Sequence, residues 1–296
     1  MNVFVNRNCP ICDNAKGRKS IKPDLHPKDN IEKIKDYWRG FYKKRFFFPY
    51  SRCECGFLYC DEYFSPNYLN KLYSSMGDNV HSGDSVTDDM TKDMYVEKIG
   101  EILARKDNVS VLELGADNGT LIKKLKKFKN ISHFTAIEPN KEMHERLSKV
   151  SSRVCSDLSE LSESETFDLV ICIHVLDHIP EISEYLEELE KRIRKDGLIF
   201  GVVHDESSIL AKLLADRWPA YCLQHPHLFN PVTIKQMLHK NDLSQIEIYK
   251  TTNSFKFGYL LYQLFLAVFK IKISFPDLFN INLKVGNIGF IFKKIL

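Results

Sequence analysis

The chain has 296 residues, 44% of them apolar, which is enough for one large domain or two modest ones. Its formal net charge is +3, so no global electrostatic field requires nucleic acid or a membrane surface as a partner. The N-terminus lacks an apolar core of signal-peptide length, and the most apolar segment, Tyr259–Phe269, is about half as long as a membrane span. These features predict a cytoplasmic protein without a transmembrane segment.

Residues 1–75 are predicted to form a small, zinc-ribbon-like module. Without a secretory signal, the cysteines indicate reduced thiols or metal ligands rather than disulfides. The expected ligands are two close pairs, Cys9 with Cys12 and Cys53 with Cys55. Four thiolates complete a tetrahedral zinc site with no open position, so the ion would be structural. The second pair has an irregular spacing, and Cys60 or His26 could replace one of its members.

An aromatic cluster mixed with basic residues lies in the same module. It comprises Tyr37, Trp38, Phe41, Tyr42 and Phe46–Phe48. Such a mixture can bind nucleic acid or a sugar nucleotide, but the core of a small domain is the simpler interpretation. Nucleic acid is therefore not expected as a partner. Residues 76–108 are predicted as linker and helix, with a polar stretch at Ser74–Asp93 and a helix at Met94–Arg105.

Residues 109–296 alternate between strand and helix patterns. The predicted strands are Val109–Leu114, Phe134–Ile137, Phe167–Ile173, Gly197–Val203, Ile246–Thr251 and Ile288–Phe292. Apolar positions at helical spacing separate the first four strands, which favours a mainly parallel, Rossmann-like α/β sheet with helices on both faces. The two last strands could pair antiparallel at the sheet edge, with residues 255–281 inserted between them.

The sequence VLELGADNGT at positions 111–120 is typical of a cofactor-binding loop between a strand and a helix. Gly115 can adopt backbone angles closed to other residues, and Gly119 permits tight packing where the helix begins. Dinucleotide-binding loops have the pattern G-x-G-x-x-G, but here Asp117 takes the place of the second glycine. A carboxylate would repel a pyrophosphate, whereas S-adenosylmethionine (SAM) carries a cationic sulfur and an ammonium group. The loop therefore favours SAM over NAD.

Two further acidic residues lie where strands of this architecture meet a nucleoside. Glu138, followed by Pro139, ends the second strand, where a carboxylate can accept hydrogen bonds from both ribose hydroxyls. Asp157 lies in the CSDL segment, between the strands Phe134–Ile137 and Phe167–Ile173. It could accept a hydrogen bond from the adenine amino group or serve as a helix N-cap. The predicted cofactor residues are Glu113, Gly115, Ala116, Asp117, Asn118, Gly119, Glu138, Pro139, Asp157 and His174.

The segments LELGADNGT, IEPN, CSDL and FDLVICIHVLDHIP resemble the successive motifs of class I SAM methyltransferases over residues 95–250. More narrowly, the chain is similar to methyltransferases with an N-terminal zinc-binding domain, including sugar C-methyltransferases. The matching segments are Gly115–Gly119, Val175–Pro180 and Gln224–Phe229. The chain departs from that family where Gln224 replaces an acidic residue, Leu228 replaces an aromatic one, and the loop exchanges its Asn and Asp.

Methyl transfer to an alcohol or a carbon acid needs a base, and histidines are the candidates. His225 is the first, because imidazole titrates near neutral pH and the resemblance implies an active-site histidine there. His178 is the second, since it follows the strand Phe167–Ile173 at the carboxyl edge of the sheet. His174 is expected to line the cofactor pocket, and His227 and Tyr221 are weaker candidates for contact with the acceptor.

The sequence thus predicts a SAM-dependent methyltransferase acting on a small molecule, with a saccharide or nucleotide-sugar as one option. The methyl group could go to oxygen or carbon. An RNA or protein methyltransferase that grips its acceptor through the zinc module is the alternative. A non-catalytic SAM-binding subunit and an NAD-dependent oxidoreductase are less favoured, and the oligomeric state is left open.

Overall fold

The computed structural model describes residues 2–15, 17–38, 44–74, 85–104, 106–269, 271 and 273–295. The strands are β1 (Phe4–Asn6), β2 (Arg18–Ile21), β3 (Tyr50–Arg52), β4 (Leu58–Cys60), β5 (Glu62–Phe64), β6 (Val109–Leu114), β7 (Ile131–Ile137), β8 (Arg153–Cys155), β9 (Phe167–Ile173), β10 (Ile193–His204), β11 (His227–Leu228), β12 (Leu243–Lys250), β13 (Asn253–Lys256), β14 (Asn280–Leu283) and β15 (Asn287–Lys294). The helices are α1 (Pro66–Ser74), α2 (Ser85–Leu103), α3 (Thr120–Leu125), α4 (His144–Leu147), α5 (Ile182–Lys191), α6 (Ile209–Leu214), α7 (Pro231–His239) and α8 (Phe257–Phe269).

A seven-stranded sheet forms the centre of the fold, with the order β12-β15-β10-β9-β6-β7-β8. The five strands from β10 to β8 run parallel, whereas β15 pairs antiparallel with both β10 and β12. Strand β6 is buried along its whole length, which matches its continuous apolar run. The Rossmann-like prediction is confirmed, including the antiparallel pair at the edge.

The order of the strands determines where a ligand can bind. Strand β6 pairs with β7 on one side and β9 on the other, so the chain reverses its direction of travel across the sheet at this point. In open α/β sheets, ligands bind in the crevice beyond the carboxyl ends of the strands at such a switch point. The turn after β6 and the residues after β9 therefore face one crevice.

Helix α2 corrects the prediction for the segment before the sheet. The helix begins at Ser85, so residues 85–93 are helical rather than part of a polar linker. It ends at Leu103, and its apolar residues Val96, Ile99 and Leu103 are buried. Residues 75–84 of the predicted linker, and Arg105, lie outside the described residues.

The N-terminal segment is joined to the rest of the chain by a shared sheet. Its four strands have the order β11-β4-β3-β2, and β11 is contributed by residues 227–228 from the second half of the chain. Strand β1 pairs separately with β5. The sheet therefore crosses the predicted boundary at residue 75. That residues 1–75 fold as a separate module stays a prediction.

The aromatic cluster is mainly core. Trp38 and Phe46–Phe48 are buried and pack with residues from both halves of the chain, whereas Phe41 and Tyr42 lie outside the described residues. A stacking platform for bases needs exposed rings, so these buried rings do not supply one.

The predicted insertion between the two last strands of the sheet consists of β13, α8 and β14. Strands β13 and β14 pair with each other rather than with the central sheet. Within the described part of the chain, no helix has both the length and the apolar character needed to cross a membrane.

Candidate active site

The turn after β6 has the backbone that its glycines predict. Gly115 has φ +62°, and a Cβ at this position would lie 2.8 Å from Cγ2 of Val175. Asp117 also adopts a left-handed conformation, with φ +48°, which Asp tolerates better than most residues. Asn118 stabilises the turn, because its Oδ1 accepts a hydrogen bond from the backbone N–H of Thr120 at 3.0 Å. Ala116 is buried beneath the turn.

Glu138 ties this turn to the end of β7. Its Oε2 accepts from the backbone N–H of Asp117 at 2.8 Å, and its Oε1 accepts from the backbone N–H of Asn140 at 2.9 Å. Burial raises the pKa of Glu138, although the two N–H donors oppose that shift. Each carboxylate oxygen can accept a second hydrogen bond, so the group can contact a ligand while holding the turn.

Glu113 adds a second carboxyl group with unsatisfied bonding capacity. The side chain is buried, and its Oε2 has no hydrogen-bond partner among the residues that the structure describes. Burial raises its pKa to about 8, with smaller contributions from Asp117 and Glu138. Three acidic side chains thus interact around one turn. This arrangement suits a cationic ligand and opposes a pyrophosphate.

The remaining predicted cofactor residues line the neighbouring strand ends. Asp157 is the N-cap of a short 3-10 turn, and its Oδ1 accepts from the backbone N–H of Ser159 at 2.8 Å. The N-cap interpretation is therefore correct, and Oδ2 is the oxygen left for a ligand. Pro139 directly follows Glu138 and precedes the Asn140 side chain that caps the next turn.

Gly119 offers a test of the turn geometry. Its φ is +75°, and an added Cβ would lie 2.7 Å from Val150 and 3.1 Å from Leu147. We expect Gly119→Ala to destabilise the protein by about 2–4 kcal/mol, because left-handed strain of about 1–2 kcal/mol adds to overpacking. Gly56 is the matched control, since its φ is +90° but no atom lies within 4 Å of an added Cβ. Urea midpoints measure both variants, and equal losses would contradict the packing argument.

A cluster of four histidines and one aspartate lies beyond the carboxyl ends of β9 and β10. We call it the histidine cluster, and its members are His174, Asp177, His178, His204 and His225. The imidazole centroids of His174 and His204 are 4.6 Å apart, those of His204 and His225 are 4.7 Å apart, and those of His178 and His225 are 4.6 Å apart. The fold thus brings three predicted site residues together with two that were not predicted.

Asp177 and His204 are the two residues that sequence reasoning missed. Asp177 is completely buried, and its Oδ2 accepts from Nδ1 of His204 at 2.5 Å and from the His204 backbone N–H at 3.2 Å. Burial alone would raise the pKa of Asp177, but the imidazoles, His204 foremost, hold it well below its ordinary value. The only sequence signals were a histidine ending a strand and an aspartate within the LDHIP segment.

His225 and His178 form a hydrogen-bonded pair. The two Nε2 atoms are 3.2 Å apart, and Nδ1 of His225 donates to the carbonyl oxygen of Ala220 at 2.7 Å. Burial opposes the charge on His225, but Cys222 and Asp177 outweigh it and raise the pKa to about 9. Burial, followed by the neighbouring His225, lowers the pKa of His178 to about 3. His225 is thus engaged at both ring nitrogens, while His178 is neutral at pH 7.

Of the other predicted side chains, His174 is a member of the cluster, and His227 and Tyr221 lie at its margins. His174 has φ +53°, Nε2 lies 3.4 Å from the Asn287 side-chain nitrogen, and burial lowers its pKa to about 3. His227 is completely buried in β11, where its Nε2 donates to the Leu176 carbonyl oxygen at 2.8 Å. Tyr221 is also buried, with its ring 5.4 Å from that of Trp218.

The four predicted zinc ligands lie together in the N-terminal segment. Their sulfur atoms are all within 4.8 Å of one another, with Cys9 and Cys55 at 3.6 Å and Cys12 and Cys53 at 3.4 Å. A tetrahedron with metal–sulfur bonds of about 2.3 Å has edges of about 3.8 Å, so this group fits a zinc ion. Cys60 lies elsewhere, with its sulfur near the carbonyl oxygens of Phe48 and His225.

His26, the other alternative ligand, caps a 3-10 turn through Nδ1, which accepts from the backbone N–H of Lys28 at 3.2 Å. Neither alternative therefore joins the group of four sulfurs. The irregular spacing of the second cysteine pair is accommodated because the tight turn between β3 and β4 places Gly56 at φ +90°.

Comparison with known proteins matches this architecture to one enzyme fold. The 1,6-didemethyltoxoflavin-N1-methyltransferase of Burkholderia thailandensis, solved with 1,6-didemethyltoxoflavin and S-adenosylhomocysteine, is 15% identical, with 84% of this chain and 96% of that chain covered and a TM-score of 0.54. The N-methyltransferase NodS of Bradyrhizobium japonicum WM9, solved with S-adenosylhomocysteine, is 14% identical, with 76% and 96% covered and a TM-score of 0.48. No curated protein matches the chain.

The family comparison covers the part of the chain that carries most of the central sheet and the whole histidine cluster. A family model described as a methyltransferase domain matches residues 91–248, which include the turn after β6, Glu138 and every histidine of the cluster. The chain therefore belongs to the methyltransferase domain family.

Proposed function

We propose that the protein transfers the methyl group of SAM to a small-molecule acceptor bound beside the histidine cluster. The observation that carries the proposal is the Glu138 carboxylate, which bridges the turn after β6 and the end of β7 through two backbone N–H groups. A carboxylate so fixed can accept hydrogen bonds from both hydroxyls of a ribose. Asp117 lies in the same turn, and the buried Glu113 carboxyl, whose pKa is raised to about 8, offers hydrogen-bonding capacity beside it.

The chain's own residues divide into two roles under this proposal. Bound SAM would supply a methyl group activated by its cationic sulfur. Glu113, Asp117 and Glu138 would hold the cofactor, with the backbone of Gly115 to Gly119 close to it and Asp157 at the adenine amino group. Val175 fills the space that Gly115 leaves without a Cβ, so the turn cannot shift in that direction.

The histidine cluster would orient the acceptor and take its proton. It lies at the same sheet edge as the turn after β6, since β9 and β6 are neighbours in the parallel sheet. His178 is the stronger candidate for the base, because its imidazole is neutral, whereas the raised pKa of His225 keeps that ring protonated. Burial makes His178 a weak base, and the nearby Asp177 carboxylate opposes this effect. His225, with both ring nitrogens engaged, would position His178, and the Asp177 carboxylate would stabilise the charge that forms.

A small-molecule acceptor fits the site better than a macromolecule. The didemethyltoxoflavin methyltransferase, which shares the fold, was solved with a small heterocycle, and this supports the same class of acceptor here. Trp38 and Phe46–Phe48, which could have stacked on RNA bases, are instead buried in the N-terminal core. A saccharide or nucleotide-sugar remains one option within this class, with transfer to oxygen or carbon.

The N-terminal cysteines would hold a structural zinc ion. Four sulfurs within 4.8 Å of one another provide a complete tetrahedral ligand set, so no coordination position is left for a substrate. Zinc here would fix β3 and β4, and through β4 the short strand β11 that precedes helix α7.

Thermal unfolding with added ligands tests the cofactor assignment. We expect SAM and S-adenosylhomocysteine at about 100 times Kd to add about 2.7 kcal/mol, raising Tm by roughly 4–8 °C, whereas NAD leaves Tm unchanged. A shift with NAD alone would refute the proposal. The acceptor can then be found by incubating the protein with methyl-labelled SAM and fractionated extract, followed by mass analysis of the labelled product.

A further inference from the structure

We propose that His174, Asp177 and His204 bind a divalent transition-metal ion, distinct from the ion expected at the four cysteines. One ligand atom from each of the three residues lies within 4.8 Å of the others. Two ligand atoms that are each about 2.1 Å from an ion can be at most about 4.2 Å apart. The ligand atoms of the three residues therefore need to approach one another by less than about 1 Å to complete the site. Side-chain rotations provide movements of that size.

Unsatisfied ligand atoms in this group are the second observation. Nδ1 of His174 and Oδ1 of Asp177 are both buried, and neither has a hydrogen-bond partner within the part of the chain that the structure describes. Asp177 is completely buried, so an unpaired carboxylate oxygen there is costly. A bound cation would satisfy both atoms at once.

The contacts of the two histidines determine which ring nitrogen of each can bind an ion. A ligating imidazole usually bonds through its other nitrogen to a side chain or carbonyl that fixes the ring. Nε2 of His174 lies 3.4 Å from the side-chain nitrogen of Asn287. When the Asn287 amide is turned over, Nε2 donates to its oxygen and Nδ1 is left for an ion. His204 contacts Asp177 through Nδ1 at 2.5 Å, so an ion bound by both residues would take the place of this hydrogen bond. The His204 side chain is 25% exposed, so solvent and ligands can reach the ring.

The ligand set determines the class of metal. Two imidazoles and one carboxylate are typical of zinc and ferrous iron, whereas magnesium and calcium prefer sites made of oxygen atoms. Three protein ligands leave at least one coordination position open. If the proposed methyl transfer is correct, an acceptor hydroxyl could occupy that position and lose its proton more easily.

Only this role in catalysis rests on the proposed function, because metal binding is measured without SAM or acceptor. The full-length protein is loaded with Zn²⁺, freed of loose ions by gel filtration and analysed for zinc per chain. We expect two equivalents in the wild-type protein and one in Asp177→Asn and His174→Ala. His133→Ala and His239→Ala remove exposed histidines and should retain two.

A second measurement does not depend on folded variants. The zinc-loaded wild-type protein, after selective release of the weaker ion by a mild chelator, is titrated with Co²⁺ and followed by visible absorption and paramagnetic NMR. We expect one equivalent of Co²⁺ with imidazole N–H signals shifted outside the ordinary range and no thiolate-to-metal charge-transfer band. A single zinc equivalent in the wild-type protein, or Co²⁺ bound only by thiolates, would overturn the metal site while leaving SAM binding intact.

Discussion

Glu138→Gln is expected to weaken SAM binding at least 100-fold while the protein stays folded. The carboxylate holds the backbone N–H groups of Asp117 and Asn140, and in the complex it would also accept from the ribose. Hydrogen bonds to a charged group contribute about 1.5–3 kcal/mol each, and a 100-fold loss corresponds to about 2.7 kcal/mol. In the variant, the amide NH₂ would face a backbone N–H donor, so the turn also loses one of its two attachments.

Isothermal titration with SAM and with S-adenosylhomocysteine measures the effect, because neither titration needs the acceptor. Glu142→Gln is the matched control, since Glu142 lies only four residues away but its side chain is exposed. The control should bind both ligands as the wild-type protein does. A Glu138→Gln affinity within about threefold of wild type, in a protein with normal thermal unfolding, would place the ribose elsewhere.

The sequence predicted the central sheet well because burial on both faces leaves a plain pattern. The predicted strands Val109–Leu114 and Phe167–Ile173 have the observed bounds, and both are continuous apolar runs. Helix α7 begins at Pro231 for a local reason as well, because Asn230 provides a side-chain cap and proline suits the first helical position. Such local signals determine where an element begins and ends.

The histidine cluster was predicted only in part, because its contacts depend on the register between strands. Asp177 and His204 are 27 residues apart in the chain and meet only because β9 and β10 pair in parallel, with Ile173 opposite Val202. No local pattern marks such a pair. His174 and His178 were accessible to sequence reasoning because both follow one recognisable strand.

The link between the N-terminal segment and the active site was not predictable for a similar reason. Strand β11 has two residues, which is too short for any periodic pattern to appear. The contacts that anchor its neighbourhood are also distant in sequence: the Tyr50 hydroxyl donates to the His225 carbonyl oxygen at 2.7 Å, across 175 residues. The predicted boundary at residue 75 reflected the cysteine positions and the polar stretch Ser74–Asp93, and neither carries information on this pairing.

Cys53→Ser is expected to abolish the zinc binding proposed for the four cysteines and to impair methyl transfer much more than SAM binding. Zinc binding contributes about 10–16 kcal/mol in small zinc-finger peptides, which equals or exceeds the net stability of a typical domain. Its loss should therefore loosen β3 and β4. Cys53 also belongs to the same buried cluster as Phe57 and Tyr59, so the disturbance would reach the core.

The acceptor side of the site depends on those strands. The Cys60 backbone N–H donates to the Pro226 carbonyl oxygen at 2.8 Å, and Arg7 donates to the same oxygen at 3.1 Å. Loosening β4 removes these contacts, and with them the support of His225 and the geometry of the histidine cluster. The turn after β6 and Glu138 are held by the central sheet instead, so they should keep their positions.

Three measurements on one preparation separate these effects. Zinc per chain should fall by one equivalent, the thermal transition should broaden or divide in two, and SAM affinity should change by less than about threefold. Cys172→Ala removes a buried thiol outside the group of four and should retain its zinc. Its free energy of unfolding should fall by only about 1–2 kcal/mol, because the substitution leaves a small cavity in the core. Retention of zinc by Cys53→Ser would mean that another residue completes the site. Loss of SAM binding together with zinc would show that the two halves of the chain unfold as one unit. The sheet of β2, β3, β4 and β11, which both halves share, makes this the principal alternative to a local loosening.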